Sequence, residues 1–169
     1  MDTENKIHDV KSITEEITKL FNKYKEGYKV IEEEYKNLVK KQDNLPKKFV
    51  TNYDFEDSVI LASQLKHRSI QLFKNSMALY GSVKLDIDYI DAQLRLYVVE
   101  DFLRDKYDKV TDAARNAYVN SFKGTRELGK LKVKLESIQD AADKLVRAFE
   151  GDEVNCRKFL EMKNKLKGL

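Results

Sequence analysis

The sequence predicts an all-α protein, and three observations lead to this fold class. A single proline in 169 residues argues against an all-β sandwich or barrel, whose many turns need chain-breaking residues. Charged residues make up 36% of the chain and are nearly balanced, Lys+Arg 32 against Asp+Glu 29, as is typical of long helices with solvated faces. Apolar residues also recur at intervals of three and four. We expect a long antiparallel helical hairpin, similar to a coiled coil, with a short helix at its elbow and an additional long helix before it.

The first element is a long amphipathic helix predicted from Thr3 to Asp43. Its apolar stripe begins with a seven-residue spacing and then drifts to neighbouring positions, since Gly27 and Glu34 occupy the next strict heptad positions. Such drift follows 3.6 residues per turn, so the helix is expected to pack on another element rather than form an autonomous zipper. The residues of the stripe are Val10, Ile13, Ile17, Leu20, Tyr24, Tyr28, Ile31, Tyr35 and Leu38. We expect residues 1–43 to form a separate interaction arm.

The main break in the pattern follows Asp43. Pro46 disfavours helical geometry at Leu45, and the Asn, Asp and Thr residues at 51–54 are typical of turns and caps. The sequence therefore predicts a hinge loop over residues 44–57, which separates the first helix from a helical-hairpin core over residues 58–169.

The second helix is predicted from Phe55 to about Tyr107. Apolar residues continue at helical spacing on both sides of Gly81. One glycine inside a helix costs about 1 kcal/mol, which a packed face outweighs. We therefore prefer one long helix, and a hairpin that turns at Gly81 is the alternative.

A short helix and a last long helix complete the predicted fold. Thr111 is expected to cap a helix over 112–121, Phe122-Lys123-Gly124 to form a turn, and Thr125 to cap the last helix. The last helix carries a seam with a three-and-four alternation in which only Asp152 and Lys163 are not apolar. The alternation keeps its phase across Gly151-Asp152, so one continuous helix is predicted. The seam residues, expected to pack in the hairpin or an oligomer, are Leu128, Leu131, Leu135, Ile138, Ala142, Leu145, Phe149, Cys156, Phe159 and Leu166.

Catalytic and metal-binding patterns are scarce in this sequence. Cys156 is the only cysteine, and neither His8 nor His67 is near it in sequence, so a buried thiol is a better interpretation than a nucleophile. The isolated glycines match no phosphate loop, and Asp86, Asp88 and Asp91 lack the glycine and glutamate of a calcium loop. We predict a protein that is not an enzyme, without cofactor or metal, and with no membrane span, in the cytoplasm.

Basic clusters are the remaining functional candidates. Lys66, His67 and Arg68 lie in the middle of the second helix with Lys74 nearby, and other clusters flank Pro46 and end the last helix. Each cluster alone is more often a solvated face than a binding site. Long helices have a large surface for their volume, so we expect a homo-oligomer, in which repetition could align the clusters into a track for phosphates.

From about Phe55 to Leu166 the chain resembles the UvsY-type recombination mediators of tailed bacteriophages. The likeness lies in the order and spacing of segments: Leu65-Lys66-His67-Arg68, Ala92-Gln93-Leu94-Arg95-Leu96, the cap at Lys109-Val110-Thr111-Asp112, and the end from Cys156 to Lys163. The resemblance implies an all-helical oligomer that binds single-stranded DNA. It further implies that the protein helps to load a recombinase onto strands coated by single-strand-binding protein.

The resemblance also implies a DNA-binding set. The family's basic Leu-Lys-Ala-Arg-Leu-like segment corresponds to Gln93-Leu94-Arg95-Leu96, which keeps the arginine and both leucines but not the lysine. Our hypothesis is that the protein holds single-stranded DNA on Arg95 together with Lys66, Arg68 and Lys74, with Tyr97 available for stacking. The alternative is an oligomeric coiled-coil scaffold or adaptor that binds another protein and no nucleic acid. A contiguous positive groove would favour DNA, and dispersed cations paired to carboxylates would favour the scaffold.

Overall fold

A computed structural model describes residues 10–43, 52–95, 103–106 and 109–167. These residues contain four helices of ten residues or more and no strand, which confirms the all-α prediction. The helices are α1 (Val10–Asp43), α2 (Asn52–Gln93), α3 (Asp112–Ser121) and α4 (Lys123–Lys167). The predicted start of the first helix at Thr3 and residues 44–51 of the predicted hinge loop lie outside the described residues.

α2 passes through Gly81 without interruption, which confirms one long helix and excludes the hairpin at that position. The α-helix ends at Gln93, and Leu94 and Arg95 follow in π-helical geometry. Further on, Asp105 and Lys106 form a turn, in which the Lys106 N–H donates to the Leu103 carbonyl at 3.2 Å. The predicted continuation to about Tyr107 runs through residues 96–102, which lie outside the described residues, and Leu103 and Arg104 are again helical before the turn at Asp105 and Lys106.

The predicted hinge loop is also shorter than expected, because α2 begins at Asn52 rather than after Asp57. Asn and Asp favour turns, but they equally favour the first turn of a helix, where the positive end of the helix dipole attracts a carboxylate. The residues that predicted a loop at 52–57 therefore belong to the first turns of α2.

At the elbow the predicted N-cap of α3 is present, but the turn between α3 and α4 is tighter than the predicted three-residue turn. The Thr111 Oγ1 accepts from the Ala114 N–H at 3.2 Å and starts α3 as expected. Between α3 and α4 only one residue, Phe122, has extended backbone geometry. Its carbonyl oxygen accepts a hydrogen bond from the Arg126 N–H at 3.3 Å, in the first turn of α4. Thr125 consequently lies inside the first turn of α4. Its buried hydroxyl makes no hydrogen bond within the described part of the chain, so it is not the predicted cap.

The chain folds into two compact units that do not follow the expected domain bounds. Unit 1 comprises Met1–Tyr28 and Leu79–Leu135, and unit 2 comprises Lys29–Ala78 and Glu136–Leu169. Each unit therefore takes a part of α1, of α2 and of α4. α1 contacts α2 in unit 1, where the Tyr24 hydroxyl donates to Asp86, and in unit 2, where Arg68 pairs with Glu34. Because both of its parts pack within a unit, α1 is not set apart from the residues of the predicted 58–169 core.

Contacts inside unit 1 define the helix directions. Gly27 lies against Leu79, and Tyr24 lies against the later residue Asp86, so α1 and α2 are antiparallel. α2 likewise runs against the elbow and α4, because Lys132 lies over the Tyr80 ring whereas the later Arg95 bonds Asn116 of α3. This is the arrangement expected for the helical hairpin, and α1 is its third helix in this unit.

The seam of α4 is buried from its first turns to Cys156. Phe159 and Leu166, by contrast, are 46% and 74% exposed, so the predicted seam ends earlier than expected. The pairing of Arg68 with Glu34 places the end of α1 level with about Val59 of α2, so the last turns of α4 have only α2 beside them among the described helices. Two helices cover less of a seam than three. The buried seam residues are Leu128, Leu131, Leu135, Ile138, Ala142, Leu145, Phe149 and Cys156.

Candidate nucleic-acid interface

A row of exposed cations follows the first three turns of α4, in unit 1. Lys123, Arg126, Lys130 and Lys134 are separated by three, four and four residues, which places them on one face of the helix. Residues 123–134 also include Lys132, and their only acidic residue is Glu127. The segment therefore has a strong local positive charge although the whole chain carries only +3.

The positive charge of this row affects the pKa of Glu127. Its carboxylate bonds the Lys130 Nζ at 3.0 Å, one turn away on α4. The hydrogen bond and charge of Lys130, and then the charges of Lys123 and Arg126, lower the pKa of Glu127 below its usual value. Lys130 therefore pairs with Glu127, and Lys123 and Arg126 lie near enough for their charges to act on the same carboxylate.

α1 lies beside this row. The Lys134 Nζ is 5.8 Å from the centroid of the Tyr28 ring, and Gly124 packs against Ile17, so the two helices are adjacent and parallel in unit 1. Tyr28 shares its side of α1 with Phe21 and Lys25, because the three are spaced by four and three residues. The exposed Lys25 extends its Nζ to 5.8 Å from the Phe21 ring. We call the set of Lys25, Lys123, Arg126, Lys130 and Lys134, with the rings of Phe21 and Tyr28, the basic face.

Gly124 explains why α1 can approach α4 so closely at this end of the face. A Cβ atom built on Gly124 would lie 2.3 Å from Ile17 Cγ2 and 3.3 Å from Ile17 Cβ. Ile17 is 1% exposed, and its branched side chain has little rotamer freedom in a helix. A side chain at position 124 would therefore force the two helices apart.

The basic face combines the two features that single-stranded nucleic acids require, cations for phosphates and rings for bases. Its four α4 cations span about 16 Å at 1.5 Å per residue. At about 3.4 Å per nucleotide of a stacked strand, this length matches about five phosphates. The Nζ atoms of Lys25 and Lys134 each lie 5.8 Å from a ring centroid, of Phe21 and Tyr28 respectively, so cations and rings are neighbours on this face.

The cations predicted from the sequence have a different arrangement. In unit 2, Lys66 lies 3.5 Å from Glu150 and 3.3 Å from Glu153, whereas Arg68 forms a two-pronged pair with Glu34 at 2.6 and 2.8 Å. Burial by itself raises the pKa of Glu153, but the hydrogen bonds and charges of Lys66 and Arg157 outweigh burial and lower it overall. Lys66 and Arg68 thus connect helices within their unit.

The other predicted DNA contacts are Lys74, Arg95 and Tyr97. Lys74 is exposed and forms no ion pair within the described part of the chain. Arg95 belongs to unit 1, where it bonds Asp91 at 2.6 Å and the Asn116 side-chain oxygen at 2.5 Å. Tyr97 lies outside the described residues. The described members of the predicted set thus belong to both units, with Lys66, Arg68 and Lys74 in unit 2 and Arg95 in unit 1.

The basic face was missed by the sequence reasoning. Its α4 half is visible as five cations with a single glutamate over residues 123–134, but the apolar seam of the same segment was interpreted alone. Its α1 half has no local signal, because Lys25 lies about a hundred residues before the α4 row and joins it only through helix packing.

Groups that could support chemistry are few in the described residues. Cys156 is buried, and burial, followed by the charge of Asp152, raises the pKa of its thiol, which disfavours the reactive thiolate. Over the described ranges, His, Cys, Asp and Glu side chains form no group of three that could hold a metal ion. None of the helices in these ranges is both long enough and apolar enough to cross a membrane.

Comparison with known proteins adds no relative to this description: no family model, curated protein or solved structure matches the chain.

Proposed function

We propose that this protein is a non-enzymatic binder of single-stranded DNA, and that the strand lies on the basic face rather than on Lys66, Arg68 and Arg95. One observation carries the proposal: in one compact unit, the side of α1 that carries Phe21, Lys25 and Tyr28 lies beside the four-cation row of α4, where the Lys134 Nζ is 5.8 Å from the centroid of the Tyr28 ring. Phosphates would lie along the α4 row, and bases would contact the half-buried rings of Phe21 and Tyr28.

The wider role follows from the resemblance to UvsY-type mediators. In this proposal the DNA-bound protein is a homo-oligomer that helps to load a recombinase onto strands coated by single-strand-binding protein. Repetition of the basic face around an oligomer would lengthen the track from about five nucleotides to several times that length, and would raise the overall affinity by multivalency.

Fluorescence anisotropy with a fluorescein-labelled oligo-dT strand at 50 mM salt tests the proposal. The informative variant is Arg126→Glu/Lys134→Glu, which reverses two cations of the basic face. The matched control is Lys158→Glu/Lys165→Glu, which makes the same charge change seven residues apart at the other end of α4. All four side chains are exposed, so neither variant disturbs the core.

We expect the wild type to bind and its log Kd to rise with log salt at a slope of about 3.5, since about 0.7 counterions are released for each of five phosphates. Arg126→Glu/Lys134→Glu should lower the slope by about 1.4 and weaken binding about tenfold or more. The Lys158→Glu/Lys165→Glu control should stay within a factor of about two or three of the wild type. No binding by the wild type, or equal losses in both variants, would overturn the proposal.

The second candidate is the protein-binding scaffold without nucleic acid. It is favoured by the pairing of Lys66, Arg68 and Arg95 with carboxylates, which is the charge geometry expected of a scaffold. A wild-type protein that binds no oligo-dT at 50 mM salt but sediments as an oligomer would support this candidate instead.

A further inference from the structure

α2 has an apolar side in unit 1 that the packing of the unit leaves exposed. Leu85 and Tyr89 are 71% and 51% exposed and lie one turn apart on this side. Ala92 is also exposed, and a Cβ built on Gly81 would meet nothing within 4 Å. The four residues are separated by four, four and three positions, which places them on one face of the helix. We call Gly81, Leu85, Tyr89 and Ala92 the α2 stripe.

The described contacts of unit 1 lie on the other sides of α2. Val83 and Ile90 are buried on the side opposite the stripe. α1 approaches α2 at Asp86, which accepts a hydrogen bond from the Tyr24 hydroxyl, and α4 approaches it at Tyr80, where a lysine lies over the ring. The α2 stripe therefore faces away from the described contacts with α1 and α4.

Two opposite charges lie along one flank of the α2 stripe. Lys84 and Asp88 are exposed, and their spacing of four residues places them on the same side of the stripe. Neither forms an ion pair within the described part of the chain. The flank therefore offers one cation and one carboxylate to a partner.

An antiparallel second copy of the chain fits the apolar residues of this stripe. In a contact with two-fold symmetry, a residue of each copy meets the same counterpart on the other copy. An axis beside residues 86–87 sets Leu85 of one copy against Tyr89 of the second copy, at both ends of the contact. The same axis brings Gly81 close to Ala92 of the second copy, and small side chains at a contact let two helix axes approach.

The flanking charges agree with the same axis. Two-fold symmetry brings each flank of α2 against the same flank of the second copy, so Lys84 of one copy lies opposite Asp88 of the other. In a parallel pair, Lys84 would instead face Lys84, and Asp88 would face Asp88, which is destabilising. Charge complementarity therefore selects an antiparallel second copy as the occupant. The mixed signs also disfavour nucleic acid or an anionic membrane, which attract cations alone.

We propose that the α2 stripe is a homodimer interface in which two copies of α2 pair antiparallel about residues 86–87. The interface would build the homo-oligomer of the proposed function, on which it rests to this extent, but it forms without DNA. A dimer of this kind carries two basic faces, one on each copy.

Sedimentation velocity of the full-length protein without DNA, over a range of concentrations, tests the apolar contact. Leu85→Ser/Tyr89→Ser removes both large side chains of the stripe. The control is Val133→Ser, because Val133 is 64% exposed in the same unit but belongs to α4. Circular dichroism of each variant checks that the helices are intact. We expect the double variant to weaken self-association about tenfold or more, and Val133→Ser to associate as the wild type does.

Charge reversal tests the direction of the pairing. Lys84→Glu and Asp88→Lys each place like charges opposite one another in the antiparallel dimer, so each variant alone should dimerise about tenfold or more weakly. An equimolar mixture of the two variants should dimerise as the wild type does, because both contacts then join opposite charges. Arg126→Glu/Lys134→Glu on the basic face should also dimerise as the wild type does, so a failure of DNA binding and a failure of this interface are separate results.

Three results would overturn the inference. A wild type that stays monomeric at every concentration would exclude a second copy as the occupant. An oligomer that Leu85→Ser/Tyr89→Ser leaves intact would place the contact on another surface. Single charge variants that associate as strongly as the wild type, or a mixture that associates as weakly as its components, would exclude the antiparallel pairing.

Discussion

Two glycines of α4 provide a matched test of the helix contact beneath the basic face. Gly124 and Gly129 lie five residues apart in the same helix and the same unit. A Cβ at Gly124 would lie 2.3 Å from Ile17 Cγ2, whereas a Cβ at Gly129 would meet nothing within 4 Å. The same substitution, glycine to alanine, should therefore have opposite effects on the free energy of unfolding.

The magnitudes follow from two competing terms. Alanine in a helix is favoured over glycine by up to about 1 kcal/mol. Gly129→Ala gains this term without a steric penalty. In Gly124→Ala the new methyl overpacks a contact with a branched and buried side chain, which costs about 1–3 kcal/mol and exceeds a helix-propensity gain that is small in the first turn. We expect Gly124→Ala to be less stable than Gly129→Ala by about 2 kcal/mol.

Thermal melting followed by circular dichroism at 222 nm measures this difference. For a chain of this length, 2 kcal/mol corresponds to about 4–8 °C between the two melting temperatures. Urea unfolding provides a second value of the free energy of unfolding. In an Ile17→Ala background, where Cγ2 is absent, the cost of Gly124→Ala should shrink by on the order of 1 kcal/mol.

The reasoning would be refuted if Gly124→Ala matched or exceeded Gly129→Ala in stability. It would also be refuted if Gly124→Ala were destabilising by the same amount with and without Ile17, since the cost would then have another source. Either result would mean that α1 and α4 do not approach each other at this glycine.

Two further predictions concern the cores of the bundle. Leu135 is fully buried in the seam, so Leu135→Asp should cost roughly 3–5 kcal/mol by burial of an unpaired carboxylate, and a wild-type melting curve and sedimentation profile would contradict the seam register. Burial, followed by the hydrogen bond and charge of Asp86, raises the pKa of Tyr24 from 10 to about 12, so its contribution to stability is complete below pH 10 and is lost as pH rises towards 12. Melting temperatures of wild type and Tyr24→Phe should therefore converge between pH 10 and pH 12, and a constant difference across that range would contradict the role of this hydroxyl.

Much of the secondary structure could be predicted from local patterns. The cap at Thr111, the continuity of α2 through Gly81 and of α4 through Gly151, and the buried seam from Leu128 to Cys156 all depend on contacts within a few turns of one helix. The three-and-four periodicity encodes such contacts directly. The errors at Asn52 and Thr125 arose because the same residue types favour turns, caps and first helical turns.

Only the tertiary structure decided which cations pair with carboxylates and which stay exposed. Lys66 and Arg68 were reasonable DNA contacts as a local cluster, but packing gives them carboxylate partners 87 and 34 residues away, at Glu153 and Glu34. Packing also brings Tyr28 of α1 beside Lys134 of the α4 row, and Phe21 and Lys25 share that side of α1. The physical reason is that periodicity determines which face of a helix is buried, whereas the neighbour of each face depends on how the helices pair across long stretches of chain. Charge balance and a single proline predicted long helices, and helix pairing determined whether a cation connects two helices or stays exposed on the surface.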